Sequence, residues 1–183
     1  MSLFIPILIG TARDGRLSKY AAQFVLEEAK KDSRFETELV DVKDVLTHIK
    51  TIRPEDMQES PWKKIMERAD GLIIVSPEYN HGYPGELKLL LDELYVEYNR
   101  KPVGICGVSN GAFGGARMVQ SLRPVLIGLE MVPIKNALYF LNSKTLFDSE
   151  GRITDPSFVN RAKIFFDQII WYAEALKVAR EKK

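Results

Sequence analysis

The feature that most constrains the fold of this chain is the regular alternation of short strand-like runs with segments of helical periodicity. Continuously apolar runs such as "LFIPILIG" and "PVGICGV" are typical of strands buried on both faces of a parallel sheet. Strands are predicted at residues 3–10, 36–42, 71–75, 102–108 and 131–140. Helices are predicted at residues 18–31, 61–69, 85–99, 117–130 and 155–183. Ser18 is the expected N-cap of the first helix, and Asp155, followed by Pro156, that of the last.

Strands that alternate with helices predict an α/β fold in which helices cover both faces of one parallel sheet. Right-handed crossovers leave few topologies, and we expect a doubly wound three-layer domain with five strands in the order 2-1-3-4-5. The stretch at 43–60 is expected to be an irregular connection. The chain shows no repeats or linkers, so residues 1–183 are predicted to form a single domain.

Composition excludes several classes of function. The net charge is +1, from 26 basic and 25 acidic residues spread along the chain, so no basic surface for nucleic acid is expected. The single cysteine, Cys106, lies in an apolar run and is expected to be a buried, inert thiol. One cysteine and two histidines argue against a zinc site of Cys and His ligands. The N-terminal apolar run is short and has no basic residues before it, which predicts a cytoplasmic protein without a membrane anchor.

Three polar, glycine-containing loops follow the first, third and fourth predicted strands. In the order 2-1-3-4-5 these strands end at the topological switch point, where open α/β sheets bind ligands. The first loop, "GTARDGRLSK", leads into a helix N-terminus, which favours an anion, and it adds donors from Thr11, Arg13, Arg16 and Ser18. It matches neither a Walker P-loop nor a GxGxxG turn. These donors would suit a phosphate monoester. The alternative is a polar surface loop whose arginines are solvated.

The second loop, "SPEYNHGYPGELK", carries aromatic and amide side chains in a tight turn. Tyr79 could stack or pack on the fold, and Asn80 could pair with a polar ring edge. Gly82 and Gly85 are expected to supply positive φ angles and a close backbone approach. His81 could be a general acid or a supporting hydrogen-bond donor, and a solvent-facing loop histidine is the favoured interpretation.

The third loop, "GVSNGAFGGAR", has four glycines, so its backbone can come close to a ligand. Ser109 and Asn110 stand just after the fourth strand. One loop suited to a phosphate and two suited to a planar polar ring together predict a mononucleotide cofactor, and FMN fits best.

These loops carry a family resemblance. The chain resembles the NADPH-dependent FMN reductase family of flavodoxin-like flavoproteins, which includes quinone, chromate and azo-dye reductases. The second loop keeps every fixed position of the "PEYNHGYPGxLK" motif, and the first is similar to "G[ST]xRxGRxS". The third resembles a Gly-Gly loop followed by "LRxVL". Two departures are Lys19, where some members have Asn, and "LLLDELYVEY", where many have "NAID".

The resemblance implies a flavodoxin-like fold with FMN bound across the three loops and NADPH or NADH as electron donor. The implied phosphate contacts come from the first loop, namely Thr11, Arg13, Arg16, Leu17 and Ser18. The implied isoalloxazine contacts are Pro77, Glu78, Tyr79, Asn80, Ser109 and Gly111. It also implies a ping-pong cycle in which hydride passes through flavin N5 to a small-molecule acceptor: a flavin, a quinone, an azo compound or a metal oxyanion. We assign no catalytic side chain, and we expect Glu78 to be structural.

Two questions of function and assembly stay open from the sequence. A flavodoxin-like electron carrier or a sensor protein would share the same loops, although the near-neutral charge favours the enzyme, because short-chain flavodoxins are typically acidic.

The helix predicted from Gly85 to Asn99 is apolar almost all the way round, whereas a surface helix has one apolar stripe. We therefore expect a homodimer, or a dimer of dimers, through this helix. The alternative is that the last helix or residues 43–60 of the same chain cover the apolar side chains of this helix.

Overall fold

The computed structural model describes residues 2–46 and 60–182, and a parallel sheet forms the centre of this part of the chain. The central strands run in the order β4-β2-β5-β6-β7, and β8 also pairs with β6. Their bounds are β2 Ile7–Ile9, β4 Leu39–Asp41, β5 Leu72–Pro77, β6 Pro102–Val108, β7 Val132–Pro133 and β8 Leu138–Phe140. Along the chain this is the order 2-1-3-4-5, so the predicted doubly wound fold is confirmed.

Two of the five predicted strands are interrupted. The first is divided into β1 (Leu3–Phe4) and β2, and β1 pairs with β3 (Phe35–Glu36) in a small two-stranded sheet. Pro6 stands between the two pieces and has no N–H to donate to a ladder. The fifth is divided into β7 and β8. Val103 pairs with Pro133, and Cys106 pairs with Leu138. The chain therefore advances by five residues from β7 to β8 while β6 advances by three, and the two additional residues cannot be paired with β6.

The helices cover both faces of the sheet. Their bounds are α1 Ser18–Ala29, α2 Val42–Val45, α3 Pro61–Arg68, α4 Gly85–Leu91, α5 Ala116–Gly128, α6 Ser143–Leu146 and α7 Ser157–Glu181. Alternate strand residues point to opposite faces, so Ile73 and Val75 pack with α1 and α7, whereas Leu72 and Ile74 pack with α3, α4 and α5. Burial of both faces is the reason why β5 reads as a continuous apolar run.

The predicted helix from Gly85 to Asn99 is wrong beyond Leu91. The α-helix ends there, and a short 3₁₀-helix, Val96–Tyr98, follows after a turn. The N–H of Tyr95 donates to the Glu97 carboxylate (3.3 Å) rather than to a carbonyl one turn back, so a side chain competes with the helical ladder.

One smaller prediction is corrected and another is confirmed. Pro156, not Asp155, is the N-cap of α7, although the Asp155 carboxylate accepts the N–H of Ser157 at 2.9 Å. Cys106 is fully buried, and burial raises the pKa of its thiol, which keeps it protonated. Among the described residues, no helix combines the length and the apolar character that a membrane span needs.

Candidate functional site

The site lies where β2, β5 and β6 end, at one edge of the sheet. We call the segments that follow these strands loop 1 (residues 10–17), loop 2 (78–84) and loop 3 (109–115). Because the strands are neighbours and parallel, all three loops emerge at their carboxyl ends. Hydrogen bonds join loop 1 to loop 2, and loop 2 to the helix after loop 3, so the predicted site residues come together.

Loop 1 lines a cleft of about 370 Å³ whose walls include Arg13, Arg16, Leu17, Lys19 and Lys43. The guanidinium of Arg16 pairs with Asp41 at the end of β4. Its Nε is nevertheless buried without a hydrogen-bond partner within the described part of the chain, and so is the hydroxyl of Ser18. Ser18 is therefore not the predicted N-cap: it is the first residue of α1, and its side chain makes no capping bond.

Buried polar atoms without partners are costly, and native structures satisfy most of them. A hydroxyl and a guanidinium N–H at the start of a 12-residue helix are donors that a phosphate oxygen can satisfy. The residues present at Arg16 and Ser18 therefore fit a phosphate group.

Thr11 connects loop 1 to loop 2. It is fully buried, and its Oγ1 lies 3.2 Å from the hydroxyl of Tyr79 and 2.8 Å from Oε1 of Glu86. The guanidinium of Arg13 lies over the Tyr79 ring, 5.8 Å from its centroid, within the range of a cation–π contact. Thr11 and Arg13, predicted from the first motif, and Tyr79, predicted from the second, thus form one contact group.

Loop 2 is a tight reverse turn. Tyr79 and Gly82 exchange both backbone hydrogen bonds at 2.9 Å, and the two residues between them have positive φ angles, 48° for Asn80 and 68° for His81. This is the pattern of a type I′ turn. The expectation that Gly82 and Gly85 carry the positive φ angles is therefore wrong, because the left-handed positions of such a turn are its central pair.

The turn projects Asn80 and His81 from the strand end, and both are exposed. A left-handed conformation is uncommon for residues other than glycine, and asparagine and histidine are among the residues that adopt it most readily.

Glu78 joins loop 2 to α5. Its carboxylate accepts the N–H groups of Arg117 (3.2 Å) and Met118 (3.4 Å), and it pairs with the Arg117 guanidinium (3.2 Å). A carboxylate on these first helical N–H groups stabilises the helix N-terminus. The position of this carboxylate is that of a structural residue, as expected from the sequence.

Loop 3 is held close to β6 by its glycines. Gly114 and Gly115 have φ angles of 56° and 86°, and the N–H of Gly115 donates to Ser109 Oγ at 3.1 Å. Gly107 faces this loop so closely that a Cβ there would lie 2.6 Å from the carbonyl oxygen of Gly114. Ser109 is also fixed by its own N–H, which donates to Phe140 at 3.1 Å.

A second cleft of about 380 Å³ lies between loops 2 and 3. Its lining residues include the predicted Glu78, Asn80, Ser109 and Gly111, together with His81, Asn110, Phe113 and Arg117. Phe113 is 63% exposed, and the Arg117 guanidinium lies over its ring, 5.1 Å from the centroid. An aromatic ring and an amide beside an open cleft suit a flat ligand that has an apolar face and polar edges.

Sequence reasoning missed three residues of the site, namely Glu86, Phe113 and Arg117. Glu86 occupies the variable position of "PGxLK", so the motif itself pointed away from it. Phe113 and Arg117 were part of the quoted third loop, but nothing in its glycine spacing predicts that their side chains contact each other.

The model of the NADPH-dependent FMN reductase family matches residues 4–145, which contain all three loops. The chain belongs to this family. A relative described as an NAD(P)H-dependent FMN reductase, from Schizosaccharomyces pombe, is 33% identical over 144 residues, 69% of this chain and 67% of its own. A quinone reductase from Pseudomonas putida is 27% identical over 84% of this chain and 86% of its own.

A solved structure supports the fold. FerB, a flavoenzyme NAD(P)H:(acceptor) oxidoreductase from Paracoccus denitrificans, superposes with a TM-score of 0.76 at 21% identity and covers 94% of this chain and 98% of its own. Membership of the family makes the chain an oxidoreductase that uses FMN and NAD(P)H. Arg16 Nε and Ser18 Oγ, which have no partner among the described residues, are donors of a kind that suits a phosphate group.

Proposed function

We propose that this protein passes a hydride from NADPH or NADH through N5 of FMN to a second acceptor, in a ping-pong cycle at one site. The proposed acceptors are a flavin, a quinone, an azo compound or a metal oxyanion. A quinone reductase among the relatives supports the quinone in particular. We also propose that the protein is located in the cytoplasm.

The observation that carries this proposal is a pair of buried donors at the start of α1, Arg16 Nε and Ser18 Oγ, which have no partner within the described part of the chain. They suit one end of FMN, and the cleft of about 380 Å³ between loops 2 and 3 suits the ring. Thr11 and Tyr79, which are in contact, connect the two regions. A single ligand with a phosphate and a heteroaromatic ring accounts for all three features.

FMN supplies the redox chemistry when bound, and the side chains hold and orient it. In this proposal Arg13, Arg16 and Ser18 bind the phosphate, while Asn80 and Ser109 offer polar groups to the ring edge. No side chain is required as an acid or base. The Glu78 carboxylate is engaged by α5 and is 9% exposed, which supports the assignment of a structural role.

Two substitutions at opposite ends of the site test the proposal. Arg13→Ala removes a cation of loop 1 and Asn80→Ala removes the amide of loop 2, and each should weaken FMN binding in a fluorescence titration. NADPH or NADH should bleach the bound flavin under anaerobic conditions, and initial rates should give parallel double-reciprocal lines. Unchanged FMN affinity in both variants would place the ligand elsewhere, and intersecting lines would refute the ping-pong cycle.

We propose further that two copies associate through the segment from Gly85 to Asn99. Its exposed apolar side chains support this: Leu89 is 39%, Tyr95 61% and Val96 67% exposed. Other apolar residues of the segment are buried within the chain itself, so they do not need a partner; they are Leu87, Leu90, Leu91, Leu94 and Tyr98. Exposed large apolar side chains of this kind are available for contact with a second subunit.

Tyr95→Asp tests this interface, because a charge at an exposed apolar position opposes association without disturbing the core. Light scattering should give the mass of a monomer. Leu91 is an unsuitable site for this test, because it is fully buried and a charge there would destabilise the fold itself. A dimer that persists in Tyr95→Asp would show that the interface lies on another surface.

A further inference from the structure

Glu86 holds the donors at the beginning of loop 1. Its Oε1 accepts the hydroxyl proton of Thr11 and the N–H of Ala12, each at 2.8 Å. Glu86 lies in the first turn of α4, 75 residues from Thr11 along the chain, so only the fold brings them together. Both donors belong to loop 1, which we propose binds a phosphate.

A threonine hydroxyl has one proton, and here it is donated to Glu86. Thr11 Oγ1 can then only accept, so the Tyr79 hydroxyl donates to it at 3.2 Å. The N–H of Arg13 also points toward this oxygen, at 3.4 Å. Thr11 and Ala12 therefore have no donor to offer an anion while the carboxylate keeps this position.

The carboxylate is ionised at neutral pH. Burial acts to raise the pKa of Glu86, but the hydrogen bonds from Ala12 and Thr11 and the positive charge of Arg16 outweigh it and lower the pKa. A carboxylate and a phosphate dianion compete for the same donors and also repel each other.

The cations in and near loop 1 compensate the negative charge of the Glu86 carboxylate only in part. Arg16 pairs with Asp41, and Lys43 pairs with Asp14 at 2.5 Å. Arg13 makes no ion pair within residues 2–46 and 60–182, and it lies over the Tyr79 ring. Within the described residues, Arg16 Nε at the end of loop 1 and Ser18 Oγ at the start of α1 thus have no partner, whereas the donors at the beginning of loop 1 are occupied.

We propose that Glu86 sets the affinity of this site for the phosphate of FMN by competing with it for Thr11 and Ala12. The proposal rests on the FMN site proposed above. The carboxylate weakens phosphate binding, so the flavin exchanges with solution instead of staying permanently bound. It also reduces the preference for FMN over riboflavin, which has the same ring and no phosphate.

The test compares FMN and riboflavin in titrations followed by flavin fluorescence, with wild type and Glu86→Ala. The substitution should lower the Kd for FMN by about tenfold or more, because two charge-assisted hydrogen bonds return to the phosphate, and should leave the Kd for riboflavin unchanged. Asp92→Ala is the matched control, since it removes an exposed carboxylate just after the same helix. It should change neither constant.

Glu86→Gln keeps the size of the side chain and removes its charge, and it decides the question if the alanine variant does not fold. It should also bind FMN more tightly, by a smaller factor, with riboflavin unaffected. An FMN Kd that stays the same or rises would overturn the inference, since Glu86 would then order the loop for its ligand. Equal changes for both flavins would also overturn it. Wild-type protein that binds neither flavin would instead refute the proposed FMN site and, with it, the inference.

Discussion

Gly107→Ala tests whether the close approach of β6 and loop 3 is a requirement of this fold. A Cβ at Gly107 would lie 2.6 Å from the carbonyl oxygen of Gly114 and 3.0 Å from that of Gly115. Both neighbours are backbone atoms of buried residues in left-handed conformations, so they cannot turn away as a flexible side chain could. The added methyl group must displace the loop or the strand.

Forced overpacking of this kind costs about 1–3 kcal/mol of unfolding free energy. For a domain of this length each kcal/mol lowers the Tm by about 2–4 °C. Because loop 3 lines the ring cleft, FMN affinity should fall together with stability. Urea unfolding followed by circular dichroism measures the first effect, and a fluorescence titration with FMN measures the second.

Gly128→Ala is the matched control. Gly128 is the last residue of α5, and a Cβ there would meet nothing within 4 Å. This change should be neutral or should stabilise by at most about 1 kcal/mol, since alanine is the better helix former. Equal urea midpoints for Gly107→Ala and wild type would refute the argument that the strand and the loop are in obligatory contact.

Three further predictions concern stability. Glu78→Ala should lower the urea midpoint by the equivalent of about 1 kcal/mol, because the first N–H groups of α5 lose their acceptor, and Glu78→Gln should lose less. Tyr98→Phe should cost about 1–3 kcal/mol in the same assay, because the buried Trp62 Nε1–H, which donates to the Tyr98 hydroxyl at 2.6 Å, loses its partner. A loss no larger than that of an exposed Tyr→Phe change would contradict this. Burial, with a smaller contribution from nearby Arg180, lowers the pKa of Lys101 to about 8 from 10.5. Between these values the unfolded chain binds more protons, so this group's contribution raises the stability from pH 8 to 10.5. Lys101→Met should lack that rise when midpoints are compared across the range, and parallel pH profiles would contradict the assignment.

Strand pattern alone predicted the architecture. Continuous apolar runs such as "GLIIV" appear wherever both strand faces are buried, and the alternation with helices leaves a parallel sheet as the solution. The order of the strands then located the site, because loops 1, 2 and 3 follow strands that end side by side. The location of the site therefore follows from local composition and the order of the strands along the chain.

The segment after Leu91 shows where such reasoning fails. Its buried positions, among them Leu94 and Tyr98, continue a helical spacing, and the sequence therefore predicts helix to Asn99. The Glu97 carboxylate instead takes the N–H of Tyr95, and the chain turns. A side chain that competes for one backbone donor leaves no trace in hydrophobic periodicity.

The sequence by itself determined the class of fold, the edge of the sheet that carries the site, and the residue types suited to a phosphate and a flat ring. Only the tertiary structure decided which donors are free. In residues 2–46 and 60–182, Ser18 and Arg16 keep polar atoms without a partner, whereas the donors of Thr11 and Ala12 are held by Glu86, 75 residues from Thr11. The positive φ angles in "PEYNHG" likewise fall on Asn80 and His81 rather than on a glycine. Hydrogen-bond pairing and backbone angles depend on neighbours distant in the chain, and a motif records only the residues that are adjacent in it.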